Sequence, residues 1–213
     1  RDLAVAVSQK LSGSTTVAST MIIANLAKIA VFATGGIGGV HRDAEKTFDI
    51  SADLEELSKT NVCVVCAGAK AILDIGLTLE YLETKGVPVI GYKTSELPAF
   101  YSSISGFNVD YRIETASDIA EILKTKWNLS IKGGVLVTNP IPKTFELESV
   151  MMNEAINTAI IEADKEKIVG KEITPYLLAK VNEITQGKSL NANIKLIQNN
   201  AALAAKIALY YLK

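Results

Sequence analysis

Four short apolar runs alternate with longer amphipathic stretches, and this alternation constrains the fold more than any other feature of the chain. The runs are rich in β-branched residues and cover residues 29–33, 62–67, 87–92 and 135–138. Apolar side chains recur at helical spacing in three other stretches, residues 15–27, 71–84 and 117–129. Strands that alternate with helices of this length are typical of a parallel sheet covered on both faces. We therefore predict an α/β fold with a mostly parallel or mixed central sheet flanked by helices.

The sequence changes character after Pro142. Three helix-like stretches follow without a flexible linker, at residues 145–165, 174–187 and 189–212. We predict that this helical region, about residues 145–213, packs on the sheet. A chain of 213 residues that is 48% hydrophobic can bury one core, so residues 1–213 are predicted to form a single α/β domain.

Composition excludes several classes of protein. A net charge of −1 with 21% charged residues gives neither a charged disordered tail nor a basic surface for nucleic acid. No apolar run approaches the roughly 20 residues that span a bilayer. The start, Arg1-Asp2-Leu3, lacks the basic and then apolar pattern of a signal peptide. We expect a cytoplasmic protein with a small-molecule partner and no nucleic-acid or membrane partner.

Cys63 and Cys66 have the C-x-x-C spacing that can mark a redox pair or half of a metal site. However, they lie inside the apolar run 62–67, and side chains three apart on a strand point to opposite faces. The sequence has no second C-x-x-C, and its only histidine is His41. We therefore interpret the two cysteines as buried strand residues, and their free thiols favour a reducing compartment.

Four glycines follow the first predicted strand within residues 34–42, a segment that ends with His41 and Arg42. Glycines let backbone N–H groups approach a ligand closely. The spacing matches the dinucleotide-binding pattern only loosely, because no helix clearly follows. Open α/β sheets bind ligands at the carboxyl ends of their strands, which makes this loop a candidate site. His41 and Arg42 can meet an anion there, although a lone histidine is often structural.

Two carboxylates and a hydroxyl follow this loop. Ser51 or Asp53 can cap a helix that is predicted to begin near Leu54. Capping leaves Asp49 unexplained. Two carboxylates near a glycine-rich loop can hold Mg²⁺ or Mn²⁺, or orient a sugar hydroxyl.

Lys70 follows the second predicted strand, at the predicted start of the helix over residues 71–84. The positive end of a helix favours anions, so a lysine there is electrostatically out of place. Burial and the helix dipole both favour the neutral amine, which attacks carbonyl carbons. The alternative is an exposed first-turn lysine. Asn193 lies one turn into the last predicted helix, where its amide could reach a ligand. The alternatives for this segment are helix capping by Ser189 or solvent exposure.

Seven segments, in order along essentially the whole chain, together resemble the pseudouridine-5′-phosphate glycosidase family, also described as indigoidine synthase A-like. None of them is specific alone. They comprise residues 15–20, 31–42, 47–54, 66–74, 81–84, 139–142 and 189–193.

The resemblance implies reversible cleavage of the C–C glycosidic bond of pseudouridine 5′-phosphate to uracil and ribose 5-phosphate. It implies a Schiff base on a catalytic lysine and a divalent metal, Mn²⁺ or another cation such as Mg²⁺. It also implies a homo-oligomer, with a trimer as the form carried over from the family. The residues that match the family's pattern are Lys70 as the catalytic lysine, Asp49 as the metal ligand, and Val17, His41, Ser51, Ala52, Asp53 and Asn193 as substrate-binding residues.

The sequence departs from the family at its start. Members carry a further N-terminal segment, about a third of the chain, with a general-acid glutamate and a substrate-contacting lysine. The chain therefore corresponds to the C-terminal two thirds of the family's domain, and an inactive or weakly active sugar-phosphate-binding protein of the same fold is the alternative function. A lyase or aldolase with a Schiff-base lysine is a third possibility.

Overall fold

The computed structural model describes residues 2–168 and 172–213, so Arg1 and residues 169–171 of the predicted helical region lie outside the described residues. The helices of the described residues are α1 Leu3–Ser8, α2 Val17–Leu26, α3 Ala44–Thr47, α4 Ala52–Leu57, α5 Ile75–Thr84, α6 Ala116–Asn128, α7 Ser149–Lys165, α8 Ile173–Ile184 and α9 Lys188–Tyr211. The strands are β1 Val31–Ala33, β2 Val40–His41, β3 Cys63–Cys66, β4 Leu73–Asp74, β5 Val89–Tyr92, β6 Tyr111–Ile113 and β7 Val135–Thr138. A short 3₁₀ helix spans Lys143–Phe145.

Five of these strands form the central sheet in the order β1-β3-β7-β5-β6, and every neighbouring pair is parallel. The four predicted apolar runs supply β1, β3, β5 and β7, which confirms the predicted α/β fold. Residues 62–67 are completely buried, as expected of a strand covered on both faces. The fifth strand, β6, lies at the edge with Tyr111 and Arg112 exposed, and therefore lacks an apolar run that could predict it.

Apolar side chains pack on both faces of this sheet. On one face, Ile119 and Leu123 of α6 join Leu203 and Ile207 of α9 in a cluster with Val65. The cluster on the other face draws its side chains from α2, α4, α7 and α8, among others. Helix α9 also contacts β1 and β3 directly, so the C-terminal helices cover the sheet.

The two cysteines belong to opposite clusters, Cys63 with Ile119 and Cys66 with Leu136. Both are free and fully buried, and burial raises the pKa of the Cys66 thiol to about 12. A redox pair needs sulfur atoms that meet and a thiolate that forms near neutral pH. The interpretation of the C-x-x-C spacing as two buried strand residues is therefore confirmed.

Several predicted helix starts are wrong, and the largest error bears on the site. Helix α5 begins at Ile75 rather than at residue 71, because β4 pairs with β2 and Asp74 then caps the helix by accepting a hydrogen bond from Leu77 N at 2.9 Å. The last helix is preceded by Gly187 at φ +82°, so Ser189 lies inside α9 and does not cap it. Strand pairing sets the start of α5, and a left-handed glycine precedes the start of α9. In both places these features override the start that the local sequence pattern predicts.

Candidate functional site

Three loops meet at the carboxyl ends of β1, β3 and β7, which are neighbours in the sheet. We call residues 34–42 after β1 the glycine loop and residues 67–72 after β3 the lysine loop. The third loop is the turn at residues 139–142 after β7. Parallel strands bring such loops to one edge, where open α/β sheets form their ligand sites.

The glycine loop lies between the lysine loop and the segment 49–53, which we call the acidic segment. On one side, Ile37 N donates to Gly68 O and Lys70 N donates to Ile37 O, both at 3.1 Å. On the other side, Ser51 N donates to Gly39 O and His41 N donates to Asp49 O, both at 3.0 Å. These backbone hydrogen bonds hold Lys70 and the acidic segment on opposite sides of one loop.

Close packing at Gly38 explains one of the glycines. A Cβ atom there would lie 2.1 Å from Ser51 Oγ and 2.8 Å from Asp53 Oδ2. Gly38 N donates to that same Asp53 oxygen at 2.7 Å. Only a residue without a side chain lets the glycine loop approach the acidic segment this closely.

Asp53 is 5% exposed, and backbone donors engage both of its carboxylate oxygens. Oδ1 accepts from Ala18 N at 2.8 Å and Oδ2 accepts from Gly38 N. The carboxylate therefore joins the first turn of α2, which begins at Val17, to the glycine loop. Asp53 does not cap α4. Ser51 does, because Asp53 N donates to Ser51 Oγ at 3.2 Å, and this settles the capping alternatives.

Ala52 is exposed as the first residue of α4, while Val17 is partly buried beside Ala18. The structure thus brings both ends of the predicted contact set to the glycine loop, Val17 through α2 and residues 51–53 through α4. Helices α2 and α4 also pack against each other. Asp53 is the member of this set that faces inward.

His41 and Asp49 lie side by side, with His41 Nδ1 3.8 Å from Asp49 Oδ2. Both line a cavity of about 520 Å³ between the glycine loop and helices α7 and α8. Arg42 also lines it and donates to Asn157 Oδ1 at 2.8 Å. Asp49 is 49% exposed, so its carboxylate remains open to an ion or ligand. In residues 2–168 and 172–213, no group of three or more His, Cys, Asp or Glu residues could hold a metal ion.

Lys70 is partly buried in the lysine loop, five residues before α5 begins. Its predicted place at a helix start is therefore wrong, and the α5 dipole cannot be invoked for its amine. The backbone of Lys70 is engaged on both sides, because Leu73 N donates to Lys70 O at 3.0 Å. Within the described part of the chain, its amine has no ion-pair partner.

Gly68 sets the path of the lysine loop. Its φ is +90°, and an added Cβ atom would lie 2.1 Å from Pro98 O. We expect Gly68→Ala to combine a left-handed backbone strain of about 1 to 3 kcal/mol with overpacking of about 1 to 3 kcal/mol. Urea unfolding measures the loss of stability.

Gly106→Ala is the matched control. Gly106 has φ +82°, but an added Cβ atom would meet nothing within 4 Å. We expect this variant to lose only the strain contribution. Equal losses for the two variants would show that the contact with Pro98 does not constrain the lysine loop.

Asn193 lies in the second turn of α9 and packs on the glycine loop. Its Oδ1 is 3.1 Å from the position of an added Cβ at Gly35, and this oxygen is buried without a hydrogen-bond partner among the described residues. The solvent-exposed alternative for Asn193 is therefore wrong. An unsatisfied buried acceptor at a ligand loop suits a donor from a bound molecule.

Two polar residues that support these loops were not predicted from the sequence. Thr78 in α5 accepts from Val40 N at 3.0 Å, and Asn200 in α9 donates to Thr34 O at 2.9 Å. A signal for Asn200 exists in the sequence. It is an amide on the apolar helix face between Leu196 and Leu203, where only a buried partner explains it.

Glu55 in the first turn of α4 pairs with α5. Its Oε1 lies 2.6 Å from Lys85 Nζ and accepts from Tyr81 Oη at 2.6 Å, while Lys59 lies 3.3 Å from Oε2. Lys85 and Tyr81 lower the pKa of the Glu55 carboxyl from 4.5 to about 2. The cluster holds α4, and with it the acidic segment, against α5.

This pKa shift predicts a pH dependence of stability. A lowered folded-state pKa stabilises the protein above pH 4.5, and the contribution is lost as the pH falls toward 2. We expect the stability difference between wild type and Glu55→Gln to shrink over that window. The pair is one-third exposed, so the difference should stay below about 1 kcal/mol. Urea unfolding at several pH values measures it, and Glu121→Gln, at an exposed position of α6, should show no such window. A difference that stays constant from pH 6 to pH 2 would contradict the assignment.

Comparison with known proteins agrees with this architecture. The family model for indigoidine synthase A like protein matches residues 1–210. A pseudouridine-5′-phosphate glycosidase of Clostridium botulinum (strain Langeland / NCTC 10281 / Type F) is 62% identical over 209 residues, covering 98% of this chain and 68% of the relative. The enzyme of the same name from Escherichia coli (strain K12) is 58% identical over 211 residues, covering 99% of this chain and 68% of its own length.

Two solved structures share the fold. The prealnumycin C-glycosynthase AlnA in complex with ribulose 5-phosphate has a TM-score of 0.92 at 39% identity, over 99% of this chain and 70% of that protein. An indigoidine synthase A-like protein of Thermotoga maritima MSB8 has a TM-score of 0.92 at 34% identity, over 100% of this chain and 70% of that protein. In the described residues, no helix is long and apolar enough to cross a membrane. Sequence identity, coverage and fold together show that the chain belongs to the indigoidine synthase A-like protein family.

Proposed function

We propose that this chain is a pseudouridine-5′-phosphate glycosidase that cleaves the C–C glycosidic bond and forms it in reverse. The observation that carries the proposal is the glycine loop, with Lys70 on one side and the acidic segment on the other. The Lys70 amine has no ion-pair partner among the residues that the structure describes. Relatives that are 62% and 58% identical over nearly the whole chain bear that enzyme's name. A C-glycosynthase of the same fold was solved with a sugar phosphate, which supports the same substrate class.

The chemistry explains the need for a lysine. An ordinary glycosidase protonates a leaving oxygen between two carboxylates, whereas the atom that leaves C1′ here is carbon. A carbon has no lone pair to protonate. An amine bonded to C1′ can instead accept the positive charge that develops there as the uracil departs.

In the proposed reaction, Lys70 Nζ bonds to C1′ while the bond from C1′ to the ring oxygen breaks. That oxygen takes a proton and becomes the C4′ hydroxyl. The nitrogen lone pair then forms a C=N bond as the bond between C1′ and uracil C5 breaks, and C5 takes up a proton. One water hydrolyses the resulting Schiff base, which returns the proton, restores Lys70 and releases ribose 5-phosphate.

Asp49 is the proposed ligand of a divalent cation, Mn²⁺ or Mg²⁺. Its half-exposed carboxylate beside the cavity fits an ion held by one protein carboxylate and several waters, a common arrangement for Mg²⁺. Such an ion supplies electrostatic stabilisation of oxygen atoms that carry negative charge. The absence of a larger ligand cluster in the described residues is consistent with this loose form of binding.

The remaining predicted contacts complete the proposal. His41 and Asn193 are assigned to the phosphate and ribose, and Val17, Ser51, Ala52 and Asp53 to the substrate-binding stretch. Asp53 is assigned to that stretch because its carboxylate holds the glycine loop by accepting a hydrogen bond from Gly38 N. We also expect a homo-oligomer in the cytoplasm, with a trimer as the specific form that the family resemblance implies.

Uracil release tests the function. The chain is incubated with pseudouridine 5′-phosphate, with and without Mn²⁺, and uracil is separated and quantified. We expect release that rises with Mn²⁺, together with the reverse synthesis from uracil and ribose 5-phosphate. Binding of ribose 5-phosphate without any cleavage would instead establish the alternative, a sugar-phosphate-binding protein of the same fold.

A further inference from the structure

A buried pair of amides joins the glycine loop to the turn after β7. Asn200 of α9 is completely buried, and its Nδ2 donates to Thr34 O at 2.9 Å and to Gly35 O at 3.4 Å. Its Oδ1 accepts from Asn139 Nδ2 at 3.1 Å, and Asn139 is 6% exposed. Asn200 is therefore closed to solvent, and its amide is used entirely in contacts within the protein.

The pair lies at the carboxyl ends of three neighbouring strands. Strands β1 and β7 flank β3, and Asn139 N still donates to Cys66 O at 2.8 Å at the end of β3. On the other side, Ala67 N donates to Gly35 O at 2.9 Å. The start of the lysine loop is therefore held between two segments that the amide pair joins.

We propose that Asn200 and Asn139 are positioning residues, which fix the glycine loop and the lysine loop at the distance that the reaction needs. The inference rests on the proposed function for its effect on activity. Buried carbonyls such as Thr34 O need a donor, and without one the loop moves to find water. A displacement of about 1 Å at a reacting centre costs on the order of 10²-fold in rate.

Asn200→Leu tests this role, because leucine retains the volume but donates nothing to Thr34 O. We expect kcat for uracil release to fall by about 10-fold to 100-fold while KM changes little, since the loss is in positioning rather than in binding. We also expect faster amide hydrogen exchange in residues 34–42 and 67–72. Asn139→Ala removes only the hydrogen-bond partner of Asn200, so we expect a smaller fall in kcat and a smaller rise in exchange. This variant replaces Asn200→Leu in the test if Asn200→Leu does not fold.

Asn199→Ala is the matched control. Asn199 is the adjacent amide of α9 and donates to Pro140 O at 2.9 Å, and among the described residues it makes no side-chain hydrogen bond to the glycine loop. We expect an unchanged kcat and unchanged exchange in the two loops. Assays are run well below the melting temperature of each variant, so that a purely structural loss does not lower kcat.

The result that overturns the inference is exchange in both loops that stays at the wild-type rate in folded Asn200→Leu. An unchanged kcat in that variant would overturn it equally. A wild-type chain that releases no uracil would instead reject the proposed function, and the exchange measurement would then decide the inference alone.

Discussion

Replacing Lys70 by arginine is expected to lower uracil release by more than about 10⁴-fold, because a covalent nucleophile is lost while the positive charge is kept. Arginine retains the backbone hydrogen bonds of the lysine loop, which do not depend on the side chain. Its guanidinium remains protonated and cannot form a Schiff base. The variant therefore separates nucleophilic catalysis from charge.

A second measurement follows the covalent step directly. Borohydride reduction in the presence of pseudouridine 5′-phosphate or ribose 5-phosphate should add a sugar-phosphate mass to the peptide that contains Lys70. Lys206→Arg, at an exposed position of α9, is the control and should trap normally. An adduct on another lysine, or equal trapping in Lys70→Arg, would reject the assignment of Lys70.

Replacing Asp53 by alanine is expected to destabilise the protein by about 3 to 5 kcal/mol, because two buried backbone donors lose a carboxylate acceptor. Ala18 N at the start of α2 and Gly38 N in the glycine loop both depend on this side chain. The loss is a large fraction of the about 5 to 15 kcal/mol that stabilises a typical domain. Chemical unfolding measures it, and the transition slope shows whether the native state also loosens.

Asp53→Asn and Asp118→Asn provide the comparison. The asparagine at position 53 retains one acceptor oxygen and turns an NH₂ group toward a backbone N–H, so we expect an intermediate loss. Asp118 is exposed in the first turn of α6, and its neutralisation should cost less than about 1 kcal/mol. A loss for Asp53→Ala no larger than that of Asp118→Asn would show that Asp53 does not hold the glycine loop.

Side-chain chemistry in short windows was sufficient to predict four of the five strands of the central sheet. The apolar run over residues 62–67 predicts a strand covered on both faces, and all six residues are fully buried. Within the same run Cys66 follows Cys63 by three positions, and this odd offset assigns the two thiols to opposite faces. These predictions succeed because burial and alternation are properties of the local sequence.

The lysine loop shows where local reasoning fails. A helix over residues 71–84 is a reasonable prediction from apolar spacing, but Leu73 and Asp74 pair with Val40 and His41 instead. That pairing delays α5 until Ile75 and leaves Lys70 in a loop. The partner strand lies more than 30 residues earlier in the chain, so no window around Lys70 contains the information.

By itself, the sequence determined the α/β class, the positions of four strands along the chain and the burial of the cysteines, and it predicted which residues carry chemistry. Only the tertiary structure decided how those residues relate. It turns Asp53 inward onto two backbone donors, sets Lys70 and Asp49 on opposite sides of the glycine loop, and joins that loop to Asn139 through Asn200. The physical reason is that strand order and long-range hydrogen bonds depend on which segments become neighbours, and residue spacing along the chain does not specify that.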